Sequence, residues 1–382
     1  MARSPSPMQI NARINMDSKE KDEYLTQSSF DRVALDGDNY NKIEIIGSGT
    51  YGEVYKAVRV KYGSLVAMKK IFTEDEKSFP ISALREIKLV RLMEHENIVK
   101  FIEVARSQAL NDGRFPSYYM VFEFCDHDLA GLLSNEEINF EPAEIKMIIK
   151  MLCDALHYIH ANHVAHRDLK PANILMTREG VLKLADFGLA RTISARREPQ
   201  RYTNVVVTLW YRAPELLLGE QYYSGNKVDM WAVGCIMAEL WTRSPLLQTD
   251  TETQQLNLVT FLCGSVDEAD WPEVKNLPLY ETIELRKGLE RKVLPKLRKF
   301  VEDRSCLDLI DRLLVLNPKK RLDADQVYEH DYFFTEPWPR ELKNLMQSIT
   351  TSNFEKTNAY QQQQRQQEAN SGNHGSYEDR IY

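Results

Sequence analysis

Apolar and polar residues alternate through residues 43–71 in three short runs, KIEII, EVYKAVRV and SLVAMKKIF. A period of two marks strands with one buried face. Turn signals at 47–52 and 62–64 separate the runs. The period then changes. Pro80 opens ISALREIKLVRLM, a run spaced for a helix, because proline is tolerated in a first turn. YYMVFEF, at 118–124, reads as another strand. After Cys125 the pattern is helical: Ile145, Ile148, Ile149, Leu152, Leu156 and Ile159 recur at three- and four-residue steps, and most of 215–347 continues so. The pattern predicts a small β-rich half followed by a larger α-rich half, joined near 123–128.

The two ends differ from this middle. Residues 1–39 are polar, carry two Ser-Pro pairs and show no sustained period, which predicts a disordered arm. Residues 40–333 form the globular part and 334–349 a C-terminal extension. From 350 to 382 the chain is polar again, with the low-complexity string QQQQRQQ, and reads as a disordered tail.

Composition narrows the class. With 43% hydrophobic and 27% charged residues, the 382-residue chain has the make-up of a soluble globular protein. Its net charge of −7 argues against a protein that coats nucleic acid, so no direct nucleic-acid partner is expected. The five cysteines, Cys125, Cys153, Cys235, Cys263 and Cys306, form no C-x-x-C pair or zinc spacing and predict reduced, mostly buried thiols in an intracellular protein. The N-terminus lacks an apolar signal core, and the longest apolar stretch, near 230–238, is too short to span a bilayer.

Candidate chemistry begins at Ile46-Gly47-Ser48-Gly49-Thr50-Tyr51-Gly52-Glu53-Val54. Glycines let a backbone approach phosphate oxygens and take positive φ where side chains would clash. The same spacing marks dinucleotide-binding folds, but those need a helix at once, and 53–60 alternates like a strand. Val66-Ala67-Met68-Lys69 follows, with Lys69 a cation for nucleotide phosphates and Glu86, on the next helix, a candidate to pair with it. Arg85, its neighbour, points about 100° away.

The decisive string is His166-Arg167-Asp168-Leu169-Lys170-Pro171-Ala172-Asn173. In phosphoryl transfer Asp168 would accept or orient a hydroxyl proton, Lys170 neutralise the moving phosphoryl group and Asn173 hold Mg²⁺. Asp186-Phe187-Gly188 supplies a second hard oxygen ligand, Asp186. Ala213-Pro214-Glu215 closes the set, with Arg321 a candidate partner for Glu215. Singly, each residue has an ordinary reading as a helix cap, turn residue or surface amide. The ordered set does not.

These motifs resemble the eukaryotic protein kinases over approximately residues 40–333. Pro80-Ile81-Ser82-Ala83-Leu84-Arg85-Glu86 and VVTLWYRAPELLLG, at 206–219, are similar to the cyclin-dependent kinases. FCDHDLAGLL, RYTN, WTRSPL, LCGS and LDLIDRLLVLNP look like the branch of that family that drives transcription elongation. The resemblance implies an α+β bilobal fold, with a small antiparallel β-rich N-lobe bearing one main helix (40–124) and a larger α-helical C-lobe (125–333). It implies ATP and Mg²⁺ as cofactors. Nucleotide contacts would come from the glycine loop, Ala67, Lys69, Phe122 as gatekeeper, the Glu123-Phe124-Cys125 backbone, Asp128 at the ribose rim and Asp186. Asn173 and Asp186 would bind the metal.

The resemblance further implies a T-type cyclin on the PISALRE helix, nuclear localisation and Ser/Thr-Pro substrates, foremost the repeat tail of the large RNA polymerase II subunit. Thr203 would be the activating phosphorylation site. Its phosphate could gather Arg85, Arg167 and Arg191, each bonded in sequence to a catalytic element. Val206 and Val207 stand where proline-direction is set. Tyr51 stands where cell-cycle members carry an inhibitory tyrosine, so Thr50 and Tyr51 form a candidate inhibitory pair, and a cell-cycle-type kinase is the alternative. Val205 replaces an expected arginine. A pseudokinase scaffold would lack Lys69, Asp168 or Asp186, and all three are present.

Overall fold

The alternating runs become β2 (Tyr40–Gly49), β3 (Gly52–Arg59) and β4 (Ser64–Ile71), each antiparallel to the next. The computed structural model describes residues 34–35, 39–49, 52–71, 80–107, 117–193 and 208–354. With β5 (Phe101–Arg106), β6 (Tyr118–Glu123) and β1 (Ala34–Leu35) the strands complete a six-stranded sheet in the order β1-β5-β6-β4-β3-β2. Two of these strands differ from the sequence expectation. β5, FIEVAR, has no clean alternation, because four of its six residues are only partly buried. β1 lies inside the arm read as disordered and pairs parallel with the outer edge of β5, Ala34 opposite Ala105.

One face of the sheet is a core of Tyr40, Ala57, Val66, Met68, Ala105, Tyr119 and Val121. Side chains alternate across a strand, so burying Val66 and Met68 turns Ala67 and Lys69 to the opposite face. Pro80 is the N-cap of α1 (Ile81–Leu92), which buries Glu86 and leaves Arg85 exposed.

The described residues form two compact units. The first takes in residues through Leu132, Ile174–Gly188 and the stretch from Lys343. Its strands Ile174–Met176 and Leu182–Leu184 form a hairpin beside β7 (His127–Asp128). The returning stretch lies on β7 as well. Asn353 accepts the Asp128 N–H at 2.9 Å and donates its own N–H to His127 Nδ1 at 3.0 Å. Phe354 meets Phe124 edge-on at 6.3 Å. A Cβ on Gly131 would stand 2.6 Å from the Asn353 carbonyl carbon, so only glycine permits this approach. Lys343 pairs with Glu179 at 2.6 Å. Two residues of the expected tail, Asn353 and Phe354, are therefore held in place.

The second unit comprises Leu133–Asn173 and Leu189–Leu342. Its helix Pro142–Ala161 starts with a Glu141/Glu144 capping box and Pro142 in the first turn, and buries the predicted stripe from Ile145 to Ile159. The helix Gly225–Thr242 is buried along nearly its whole length. Gly225 and Gly234 permit close packing, since a Cβ there would stand 2.6 Å from Ala165 Cβ and 2.9 Å from Leu313 Cβ. Short helices and 3-10 turns fill 264–342, where a continued helical pattern was expected. All five cysteines are unpaired and buried. No helix among the described residues is long and apolar enough to cross a membrane.

Candidate active site

In the first unit the site is built around one ammonium group. β4 carries Lys69 opposite Val54 of β3, and α1 carries Glu86. Lys69 Nζ stands 2.8 Å from Glu86 Oε1 and 2.9 Å from Asp186 Oδ1. Burial pulls the Lys69 pKa down, but Asp186 and Glu86 outweigh it and hold the ammonium well above its usual range. A raised lysine value keeps the ammonium charged at every pH below the ordinary lysine range. Asp186 takes a positive φ of 61°, a strained conformation for a residue with a Cβ. Gly188 follows, where a Cβ would lie 3.3 Å from Asp186 Oδ1, crowding that carboxylate, and 3.5 Å from Glu86 Oε2.

The remaining expected nucleotide contacts of this unit are described in part. Gly47 packs openly, its added Cβ meeting only Val54 at 3.8 Å. Glu53 pairs with Tyr55 and Lys70. Phe122 is buried against Phe101, ring centroids 5.6 Å apart. The Glu123 N–H donates to Lys100 O, and its carboxylate meets Lys183 at 3.0 Å. Cys125 is buried, which pushes its thiol pKa up and leaves it inert. Asp128, expected at a ribose rim, is buried and accepts the Gly131 N–H at 2.6 Å, capping the helix Leu129–Ser134. Thr50 and Tyr51 lie outside the described residues, as do Thr203, Val205, Val206 and Val207.

In the second unit the centre is Asp168, which is 5% exposed. Asn173 Nδ2 donates to Asp168 O at 2.7 Å and to Oδ2 at 3.1 Å. Lys170 Nζ lies 3.2 Å from Asp168 Oδ2 and 3.2 Å from Thr208 Oγ1. Thr208 donates its N–H and hydroxyl to Asp168 Oδ1 at 3.2 and 3.3 Å. This carboxylate is fixed on both oxygens.

Its loop is held from behind. Asp229, 1% exposed, accepts the His166 N–H at 2.9 Å and the Arg167 N–H at 2.8 Å, and meets His160 Nε2 at 2.8 Å. Those bonds stabilise Arg167 at φ 65°, another left-handed non-glycine residue. The Arg167 side chain donates to Leu189 O and Tyr223 OH, each at 3.0 Å, and Arg191 donates to Ala190 O. Glu215 and Arg321, both buried, form a bidentate pair at 2.8 and 2.9 Å. Thr208, His160 and Asp229 were not singled out from the sequence. A lone carboxylate in the apolar run around Met230 was the available signal for Asp229.

Fold and site together define a protein kinase: residues 40–333 match the protein kinase domain family. The chain is 54% identical to human cyclin-dependent kinase 9 over 83% of its own length and 86% of that protein. It is 53% identical to the zebrafish (Danio rerio) cyclin-dependent kinase 9 and 51% to cyclin-dependent kinase 9-B of Xenopus laevis, over the same shares. Its fold is similar to a chain of the crystal structure of the yeast RNA Pol II CTD kinase CTDK-1 complex, with a TM-score of 0.72 and 35% identity over 79% of this chain and 95% of that one. The chain belongs to the cyclin-dependent kinase family.

Proposed function

We propose that this chain is the catalytic subunit of a nuclear cyclin-dependent kinase that phosphorylates Ser/Thr-Pro sites in the RNA polymerase II tail and so promotes transcription elongation. The observation that carries the reading is Lys69 clamped between Glu86 and Asp186. Similarity to cyclin-dependent kinase 9 and to a polymerase-tail kinase supports the substrate.

In this reading Lys69 binds the α/β-phosphates and Glu86 fixes its position. The glycine loop, 46–54, covers the phosphates. Ala67, Phe122 and Phe124 enclose the purine. Glu123, whose N–H is engaged, offers its carbonyl, and Cys125 its backbone. Asp128 acts at the ribose rim through the cap it forms. Asp168 takes the substrate hydroxyl's proton, and Lys170 screens the charge that develops on the moving group.

In this reading Asn173 and Asp186 would each offer an oxygen to Mg²⁺. Asn173 and Asp186 present hard oxygens, and Asn173 uses its amide nitrogen on Asp168, leaving its oxygen for a metal. No group of three or more acidic, His or Cys residues among the described residues could hold a metal ion. Magnesium would neutralise phosphate charge.

A T-type cyclin on α1 would set Glu86, and phosphorylated Thr203 would gather Arg85, Arg167 and Arg191. Val206 and Val207 support proline-direction, since proline brings no amide that needs an acceptor. The test is to purify the complex from its native cell, identify the cyclin and assay a polymerase-tail peptide. Ser-Pro peptides are expected to be phosphorylated and Ser-Ala peptides poorly, with Thr203→Ala lowering turnover strongly and leaving ATP affinity nearly intact. Equal rates on both peptides, or a cell-cycle cyclin in the complex, would overturn the reading.

A further inference from the structure

The chain carries 49 Lys+Arg against 56 Asp+Glu, yet residues 286–299, RKGLERKVLPKLRK, hold seven cations and a single acid, Glu290. None of these residues takes part in the described contacts around Asp168. The segment has one defined backbone shape. Ser265 donates its N–H to Leu289 O at 3.1 Å and its hydroxyl to Arg286 O at 3.1 Å, while its Oγ accepts the Leu289 N–H at 2.7 Å. The Lys292 N–H donates to Leu262 O at 2.8 Å.

The helix Val293–Leu297 then buries Val293 and Leu297 completely. Beyond them Arg298, at the cap, and Lys299 are exposed, while Lys292 and Lys296 are half-buried. Arg291 is committed to Asp311 and to the carbonyls of Cys263 and Leu314. Lys292 lies over the Phe261 ring at 4.1 Å. Lys287, Arg298 and Lys299 are exposed and have no partner among the described residues. Such like charges repel one another, so their grouping adds nothing to the fold and favours an anion.

We propose that this face binds the kinase's own product, a polymerase-tail segment already phosphorylated on serine, and holds it while a neighbouring repeat is processed. The inference rests on the substrate reading above. A phosphoserine carries about −1.5 to −2 charges near neutral pH and three strong acceptor oxygens, which Arg298 and the lysines match. A nucleic acid is the poorer fit. Base stacking needs exposed rings, and here Phe261 lies under Lys292 while Phe300 is half-buried.

The test uses the full kinase–cyclin complex as wild type, as Arg298→Glu/Lys299→Glu and as Arg298→Gln/Lys299→Gln. The probes are a four-repeat tail peptide, unphosphorylated or phosphorylated on its Ser-Pro serines, an unphosphorylated one-repeat peptide, and single-stranded RNA of equal charge. Wild type is expected to bind the phosphorylated peptide about tenfold more tightly than the unphosphorylated one, and charge reversal to erase that preference. The glutamine variant should fall between, with kcat/KM on the one-repeat peptide unchanged in both. Undiminished phosphopeptide binding by the Glu variant, or tighter binding of the RNA through the same two residues, overturns the proposal. Failure of wild type to phosphorylate the one-repeat peptide overturns the substrate reading instead, since binding to the face is measured separately.

Discussion

Asp186 and Arg167 spend backbone strain to hold their places, and the structure shows what offsets it. For Asp186 the compensation is the Lys69 ion pair at 2.9 Å; for Arg167 it is the Asp229 carboxylate. Strain held this way fixes a side chain before any ligand arrives. Asp168 is fixed similarly, by Thr208, Lys170 and Asn173. Asp168→Asn keeps the shape and removes the proposed proton acceptor. It is expected to lower kcat by about a thousandfold, within the range of general-base losses, while the nucleotide dissociation constant changes little. Steady-state kinetics with a separate nucleotide-binding assay checks this, and an unchanged kcat would remove Asp168 from its role. At this scale the motif residues were legible because chemistry constrains their type and order. Thr208 and His160 were not, because threonine and histidine suit many environments and only the fold brings them to Asp168 and Asp229.

Among elements, strands and helices with a clean period were read correctly from β2 to the helix Pro142–Ala161. β5 and the hairpin of Ile174–Met176 and Leu182–Leu184 were missed, since runs of three to six residues carry too few positions to show a period. The stretch 351–354 was also missed, because its hydrogen bonds run through the backbone of Asn353, to which composition is blind. That attachment depends on a neutral ring: His127 Nδ1 must accept the Asn353 N–H. Burial lowers the His127 pKa, opposed by Asp126. Folded His127 therefore binds its proton more weakly than the unfolded side chain. Its contribution is complete above the unfolded value of about 6.5 and is lost as pH falls through the lower folded value. Exchange protection of the Asn353 amide, corrected for its intrinsic rate, should fall over that window. His127→Gln, which keeps an acceptor, should flatten the dependence; an unchanged pH profile in that variant would refute the assignment to His127.

At the level of the whole molecule, each unit has its own core and its own buried polar anchor. Breaking a buried ion pair by removing one charge costs about 3–5 kcal/mol. Glu215→Gln leaves Arg321 without its charge partner in the second unit. It is expected to lower exchange protection along Gly225–Thr242 and to spare the sheet pairing of β4 with β6 in the first unit, because that pairing shares no residue with the lost contact. Equal loss in both would show that the units unfold as one. The division was half legible: the change of period marked a β-rich and an α-rich half, but a linear reading assigns each half one continuous stretch. The first unit instead draws on three.

That threefold origin has a consequence for synthesis. The first unit begins to leave the ribosome before the second, yet Phe354 lies 222 residues beyond Leu132, 354 − 132. At about 5–20 residues per second that is a delay of about 10–45 s. During it the β7 edge and the notch at Gly131 stand uncovered, and the half of the protein that is made first is finished last.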